Sequence, residues 1–84
     1  MTNYMNEMKY IMINYNRPVL FLDTWAHDEV ARMFTDNKHK VTSAGFVRRD
    51  KQGSLYCCSE SISLKLKPAE GDEKIIMESM GAGL

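Results

Sequence analysis

The sequence contains few residues that could cross-link the chain or carry it across a membrane. It has two cysteines, Cys57 and Cys58, and two prolines in 84 residues. A disulfide between adjacent cysteines strains the intervening peptide, so this pair cannot join distant parts of the chain. The longest apolar stretches, Tyr10–Ile13 and Val19–Leu22, fall well short of the roughly 18 residues of a membrane helix. With no secretory signal at the start of the chain, we expect reduced thiols, no membrane partner and a cytoplasmic location.

An excess of charge of one sign is also missing. Eleven basic residues balance eleven acidic ones, which argues against a general nucleic-acid coat protein and against an acidic DNA mimic. The charges are unevenly distributed: residues 38–67 hold seven basic and two acidic groups, while both flanking segments are acidic. Either acidic helices lie over a basic sheet, or the basic third forms an anion-binding face.

The length and the 44% of apolar residues are typical of one domain over residues 1–84 with a thin core, so a homo-oligomer is a possible state. Residues 1–7 are expected to form a flexible leader, with Met5 or Met8 as alternative starts. Residues 81–84 are expected to form a frayed tail.

Short apolar runs near the start predict a hairpin of strands Lys9–Ile13 and Val19–Leu22. The second strand is apolar on both faces, which predicts a central position in the sheet or burial at a partner interface. A helix capped by Asp23 or Thr24 should follow at Trp25–Thr35. Its spacing predicts a buried stripe formed by Ala26, Val30, Met33 and Phe34.

Two further strands are expected at Val41–Arg48 and Leu55–Ser59, joined by a polar loop that ends near Gly53. The alternation in Ile62–Lys67 predicts another strand with one solvated face. A second helix should run over Asp72–Met80, with Ile75, Ile76 and Met80 inward. The fold class is therefore α+β: a small, mostly antiparallel sheet of four to five strands with two helices packed on one face, in the order ββαβ(β)βα.

Glu60 is a test of the strand pattern. In a straight strand it would point into the core with its apolar neighbours, and burying an unpaired carboxylate costs several kcal/mol. We expect a break or bulge at residues 59–61; the alternative is a Glu60 held inside by a basic or hydroxyl partner.

The residue types needed for catalysis or metal binding do not occur in the required spacing. His27, His39 and the two cysteines carry suitable atoms for zinc, but adjacent strand cysteines point to opposite faces and no C-x-x-C pair exists. There is no glycine-rich phosphate loop, and no thiol or serine nucleophile can be assigned a base from the sequence. We therefore expect no enzyme activity, metal or cofactor, and His27 is interpreted as an ordinary helix residue.

Basic and hydroxyl side chains are concentrated in the middle of the chain. Arg and Lys neutralise anions while Ser and Thr orient them, so the group suits an acidic protein surface or a phosphate-bearing ligand. For partner binding we select the exposed hairpin Arg48–Ser54, here called the basic hairpin, and nearby sheet. The residues chosen are Arg48, Arg49, Lys51 and Lys40 for a partner, and Ser43, Glu60, Ser61, Ser63, Lys65 and Lys67 for a ligand.

Three stretches together resemble short uncharacterised proteins encoded by phages and prophages: Met8–Leu22, Val41–Val47 and Glu60–Leu64. The resemblance covers about half of the chain, and its motifs carry no established chemistry. It implies a genomic setting in which Ser43, Gly45, Glu60, Ser61 and Ser63 match small and polar signature positions, while Lys65–Asp72 departs from the pattern.

Small phage proteins of this kind often act by stoichiometric binding, which includes inhibition of host defence complexes and capture of signalling nucleotides. The first hypothesis is a non-enzymatic inhibitor of a host or defence protein with an acidic surface. The second is an oligomeric module that sequesters a phosphorylated small molecule. Nucleic-acid binding is third, because only Phe46 and Tyr56 offer stacking rings in the basic third.

Overall fold

A computed structural model of the protein describes residues 7–81. The elements in chain order are β1 (Glu7–Ile13), β2 (Arg17–Phe21), α1 (His27–Phe34), β3 (Val41–Arg49), β4 (Leu55–Cys58) and α2 (Asp72–Gly81). This confirms the α+β class, the four-stranded antiparallel sheet and the order ββαββα. Apart from the two terminal residues of this range, which belong to β1 and α2, the expected leader and tail lie outside the described residues. No helix in that range is long and apolar enough to span a bilayer.

The sheet has the strand order β2-β1-β3-β4, with every neighbouring pair antiparallel. The register between β1 and β3 shifts at Met12/Ile13, which leaves Thr42 as an extra residue of β3. The Thr42 hydroxyl donates to the Met12 carbonyl (3.2 Å) and accepts from the Tyr15 amide (2.9 Å). The bulge therefore ties the β1–β2 turn to β3.

The two helices cover opposite faces of the sheet. Because side chains alternate along a strand, β1 sends Ile11 and Ile13 to the face packed by α1, and Tyr10 and Met12 to the face packed by α2. We call these the pocket face and the closed face. The expectation that both helices pack on one face is wrong, because β1 is apolar at four consecutive positions and each of its faces needs a cover.

Strand β2 is apolar on both faces, as predicted, but it lies at the edge of the sheet rather than in its centre. Val19 and Phe21 pack into the core of the pocket face, and Leu20 packs into that of the closed face. Pro18 suits an edge, where its missing N–H group can face solvent. Strand β2 is apolar on both faces because a helix covers each face of the sheet, and not because strands flank it on both sides.

Helix α1 is rotated relative to the predicted stripe. His27, Val30 and Ala31 are buried, whereas Met33 and Phe34 are exposed. The helix begins later than predicted, and its N-terminal cap is the Ala26 backbone instead of Asp23 or Thr24. The Ala26 N–H donates to the Glu29 carboxylate at 2.9 Å, which satisfies one of the amides at the helix start.

Helix α2 matches its predicted range closely. Ile76 is buried and Ile75 is half-buried against the closed face, as expected. Met80 was predicted to point inward and is instead 37% exposed.

The predicted strand Ile62–Lys67 is wrong. After β4 the chain leaves the sheet at Ser59, forms a turn over residues 62–65, and closes it with a bridge between Ser61 and Leu66. It returns at Lys67, whose carbonyl accepts from the Ala44 amide at 3.4 Å. We call residues 59–66 the excursion.

The side chains of the excursion explain the failed alternation. Leu64 and Leu66 pack against the core of the pocket face, whereas Ile62 is 84% exposed. The expected break at residues 59–61 is confirmed, and Glu60 is exposed to solvent.

Gly45 lies where the chain re-enters the sheet. A Cβ atom on this residue would stand 2.6 Å from Pro68 Cγ and 2.8 Å from the Ser59 carbonyl oxygen. The missing side chain of Gly45 therefore lets Pro68 and the Ser59 backbone pack closely against β3.

Candidate functional site

The pocket face is only partly covered, because α1 is much shorter than the strands below it. Eight helical residues extend about 12 Å, whereas the nine residues of β3 extend about 30 Å. From His27 the helix runs over the core formed by Ile11, Ile13 and Ala44. It leaves the sheet uncovered on the other side of its first turn.

A row of three side chains crosses the sheet at this position. Lys9 of β1 is paired in register with Phe21 of β2 and with Phe46 of β3. The Lys9 ammonium donates to the Trp25 carbonyl at 2.8 Å and lies 5.7 Å from the centre of the Phe46 ring. The imidazole of His27 meets both rings edge-on, with centroids 5.6 Å from Phe21 and 5.4 Å from Phe46. The register thus fixes a cation and an aromatic ring beside a histidine.

His27 is only 4% exposed. Its Nε2 lies 2.8 Å from the Gly45 carbonyl oxygen, and because a carbonyl only accepts, Nε2 carries the proton. Burial lowers the pKa of His27, with a further contribution from the Lys9 ammonium that opposes the effects of the Gly45 carbonyl and Asp28. The ring is therefore neutral, and Nδ1 is a bare acceptor to which no group within residues 7–81 donates.

The excursion supplies the other part of the lining. Ser59, Glu60, Ile62 and Ser63 all border the same space as Lys9 and His27. Across the described range, none of the three polar side chains in this set forms a hydrogen bond with another residue. Their hydroxyl and carboxylate groups are available to a ligand.

The sheet, the start of α1 and the excursion line a pocket of about 570 Å³ that is open to solvent. This volume lies within the range of about 300–1,000 Å³ that is usual for small-molecule sites. The lining combines one cation, one carboxylate, two hydroxyls, a buried imidazole and apolar surface. It consists of Lys9, Ala26, His27, Phe46, Ser59, Glu60, Ile62 and Ser63.

Two of the six predicted ligand-binding residues, Glu60 and Ser63, line this pocket. Lys65 and Lys67 are exposed and do not line it, although Lys65 belongs to the same turn as Ser63.

The other two predicted ligand residues have internal partners. The Ser43 hydroxyl is buried on the closed face and donates to Asp72 Oδ2 at 2.7 Å. The Ser61 hydroxyl is buried within the excursion and accepts from the Leu64 amide at 3.2 Å. Both serines hold the fold together and do not reach the pocket.

The arginines predicted for partner binding interact with neighbouring residues. Arg48 forms an ion pair with Glu7, its register partner on β1, and this hydrogen bond raises the pKa of the guanidinium. The Arg49 guanidinium donates to the Gly53 carbonyl at 2.9 Å and so closes the loop of the basic hairpin. Both side chains are exposed.

The predicted cationic surface is not continuous. Lys51 is exposed at the tip of the basic hairpin, whereas Lys40 precedes the opposite end of β3, about 30 Å along the strand. The expectation that the cations between Lys38 and Lys67 gather on one surface is therefore wrong.

Sequence reasoning missed the residues that form the base of the pocket. The sequence pattern identifies Lys9 only as a strand position, His27 as an ordinary helix residue, and Phe46 as a possible stacking ring. The informative signal is the register that places Lys9 opposite Phe46, 37 positions away. That pairing is not visible in the local pattern of either strand.

No family model, curated protein or solved structure matches the chain. Within residues 7–81, no three His, Cys, Asp or Glu side chains are grouped so that they could hold a metal ion. What the fold and the site define is a small α+β protein with a pocket of ligand size.

Proposed function

We propose that this protein is a non-enzymatic binding module that holds a phosphate-bearing, ring-containing small molecule in the pocket beside α1. One observation carries the proposal: a cation, an aromatic ring and unbonded polar groups from separate parts of the chain line a single space of about 570 Å³. Such convergence of a few polar groups within an apolar pocket is the usual arrangement of a small-molecule site.

The donors of the pocket suit a phosphate group. The Lys9 ammonium has three N–H donors and uses one of them on the Trp25 carbonyl. The hydroxyls of Ser59 and Ser63 are additional donors on the excursion. Charge-assisted hydrogen bonds of this kind are stronger than those between neutral groups.

The apolar part of the lining suits a planar ring. Phe46 forms part of the base, and Ile62 stands on the excursion with nearly all of its side chain in water. A ring that covers both residues removes apolar surface from water and gains contact with an aromatic side chain.

The arrangement of His27 favours binding over catalysis. A nucleophile of the serine or cysteine type needs a base within hydrogen-bond distance. Along the described part of the chain, the only hydrogen bond of the His27 ring is to the Gly45 carbonyl, so no serine or cysteine there has His27 as its base.

In the phage setting that the resemblance implies, the module would act in the cytoplasm by sequestering a signalling nucleotide.

A thermal-shift measurement with nucleoside monophosphates tests this proposal. A ligand at 100 times its dissociation constant adds about 2.7 kcal/mol, which raises the melting temperature of a domain this small by on the order of 10 °C. Ser63→Trp should fill the pocket and remove the shift, whereas the matched Ser79→Trp on exposed α2 should retain it. Absence of a shift with every nucleotide would contradict the proposal.

A second candidate is the inhibition of a host or defence protein through the basic hairpin. The observation that favours it is the proximity of Arg49 to two exposed methionines of α2, Met77 and Met80, around a shared depression. This mixed surface suits a partner that is both acidic and apolar. Changing Arg49 and Lys51 to Glu should abolish capture of such a partner without unfolding the chain, and unchanged capture would refute this role.

A further inference from the structure

We infer that the pocket selects guanine among the nucleobases, and that Glu60 is the residue that distinguishes it. This inference rests on the proposed binding of a nucleotide and adds the identity of its ring. It follows from which groups in the pocket accept hydrogen bonds and which donate them.

Two residues that line the pocket carry an acceptor that has no partner within residues 7–81. The Glu60 carboxylate is exposed, and an ionised carboxylate accepts through both oxygens but donates through neither. The His27 imidazole is more than nine-tenths buried, and its bare Nδ1 has no donor within residues 7–81. A ring that satisfies the Glu60 carboxylate must present two N–H donors side by side.

Guanine is the common base that fits this requirement. It carries an N–H and an amino group at neighbouring positions of one edge, so a single carboxylate can accept from both. Adenine and cytosine each place one amino group beside a bare ring nitrogen, which a carboxylate repels. Uracil places one N–H between two carbonyls. Only guanine therefore offers a carboxylate two parallel hydrogen bonds.

The charges in the lining determine how much the phosphate and the base of a nucleotide each contribute to its affinity. Lys9 is the one cation and Glu60 the one anion among the lining residues. A phosphate gains attraction from Lys9 but is repelled by Glu60 unless a ring lies between them. Inorganic phosphate alone should therefore bind much more weakly than a guanine nucleotide.

Isothermal titration with GMP, AMP, CMP, UMP and inorganic phosphate tests the selectivity. We expect GMP to bind about fivefold or more tightly than AMP, since one good bidentate pair discriminates by about 1 kcal/mol or more. Guanosine should retain the preference over adenosine, because the ring is the part that is distinguished.

The Glu60→Gln variant identifies the residue responsible. It replaces one acceptor oxygen by an amide NH2 group in an exposed position, so the fold should persist. AMP should bind as well as before or more tightly, because the amide can donate to the bare nitrogen of adenine that the carboxylate repels. The preference for GMP should fall to within about threefold. Glu78→Gln, an exposed change on α2, is the matched control and should keep the full preference.

The outcomes separate this inference from the proposed function. Equal affinity for GMP and AMP would overturn guanine selection while nucleotide binding stood. A preference that survives in Glu60→Gln would overturn the role of Glu60. Failure of every nucleotide to bind would overturn the proposed function itself.

Discussion

The two faces of the sheet differ in whether their polar side chains have hydrogen-bond partners within the protein. On the closed face, Asp72 is 3% exposed, and its Oδ2 accepts from the Tyr10 hydroxyl (2.6 Å), the Ser43 hydroxyl (2.7 Å) and the Ala69 amide (2.9 Å). On the pocket face, the Nδ1 atom of His27 and the Glu60 carboxylate have no partner within the described range. One set of groups is satisfied by the protein, and the other has no partner in the described residues.

The comparison gives a physical criterion for separating structural polar groups from binding groups. A buried polar group needs a hydrogen-bond partner, and when that partner is internal the cluster stabilises the fold. Burial and the hydrogen bond with Asp72 raise the pKa of Tyr10, so its hydroxyl keeps its proton. Burial also raises the pKa of Cys57 to about 11, which leaves this thiol protonated and poorly reactive near pH 7.

The largest effect is expected from Asp72→Ala, which removes the acceptor at the centre of the closed face. Two buried hydroxyls lose their shared partner, and we expect a loss of about 3–5 kcal/mol in the free energy of unfolding. Urea denaturation measures this loss, with the exposed change Glu78→Ala as a control expected to be nearly neutral. A loss below about 1 kcal/mol would show that the cluster does not stabilise the fold.

Gly45→Ala should have the next largest effect, and it affects both faces. The added methyl group would collide with Pro68 Cγ and the Ser59 carbonyl, so we expect a loss of about 1–3 kcal/mol. Because Ser59 begins the excursion, the pocket should also bind its ligand more weakly. Chemical denaturation and titration on the same variant measure the two effects, and Ser79→Ala is the control. Unchanged unfolding free energy and unchanged ligand affinity would show that Gly45 is not tightly packed against Pro68 and Ser59.

A pH dependence should arise from His27. Its pKa in the folded protein is lowered below 6.5 by burial, so the unfolded chain binds this proton more readily. Its contribution to stability is therefore complete above about pH 6.5 and decreases as the pH falls toward the lower folded value. Lys9 opposes the added charge, while the Gly45 carbonyl and Asp28 favour it.

The slope of unfolding free energy between pH 7 and 5.5 measures this dependence. His27→Gln should flatten the slope, whereas His39→Gln, a change at a more exposed histidine, should leave it. If wild type and His27→Gln show the same slope, groups other than His27 cause the pH dependence of stability.

The smallest effect is expected at the ion pair of Glu7 and Arg48. Both side chains are partly in water, where such pairs contribute little, so Arg48→Met should leave the unfolding midpoint unchanged. Addition of salt should likewise have little effect on the wild-type midpoint. A clear loss of stability in Arg48→Met would show that this ion pair stabilises the fold, as the polar cluster of the closed face does.

Much of the fold was predictable because local patterns determine it. The hairpin at the start, α1, β3, the loop around Gly53 and α2 all follow from apolar runs bounded by turn or cap residues. The break at Glu60 was also predictable, because an unpaired carboxylate is costly inside a core.

Apart from the rotated stripe and later start of α1 and the exposure of Met80, the wrong predictions depend on long-range pairing. Ile62–Lys67 alternates like a strand, but residues 62–65 form a turn closed by the Ser61–Leu66 bridge, and Leu64 and Leu66 pack against the core from this loop. The positions of β2 and of the two helices depend on which strand pairs with β1. The pocket could not be predicted for the same reason, since Lys9 and Phe46 become neighbours only through the register of β1 and β3.

The excursion leaves the sheet after Cys58 and rejoins it at Lys67, and its own ends are bridged by Ser61 and Leu66. Half of the pocket lining is thus carried on a self-closed loop that is not part of any strand. Such a loop can be exchanged for one of different sequence without rebuilding the sheet, as long as Leu64 and Leu66 are kept as its anchors. Evolution or a protein engineer could therefore change the chemistry of the pocket by exchanging the other residues of this short loop.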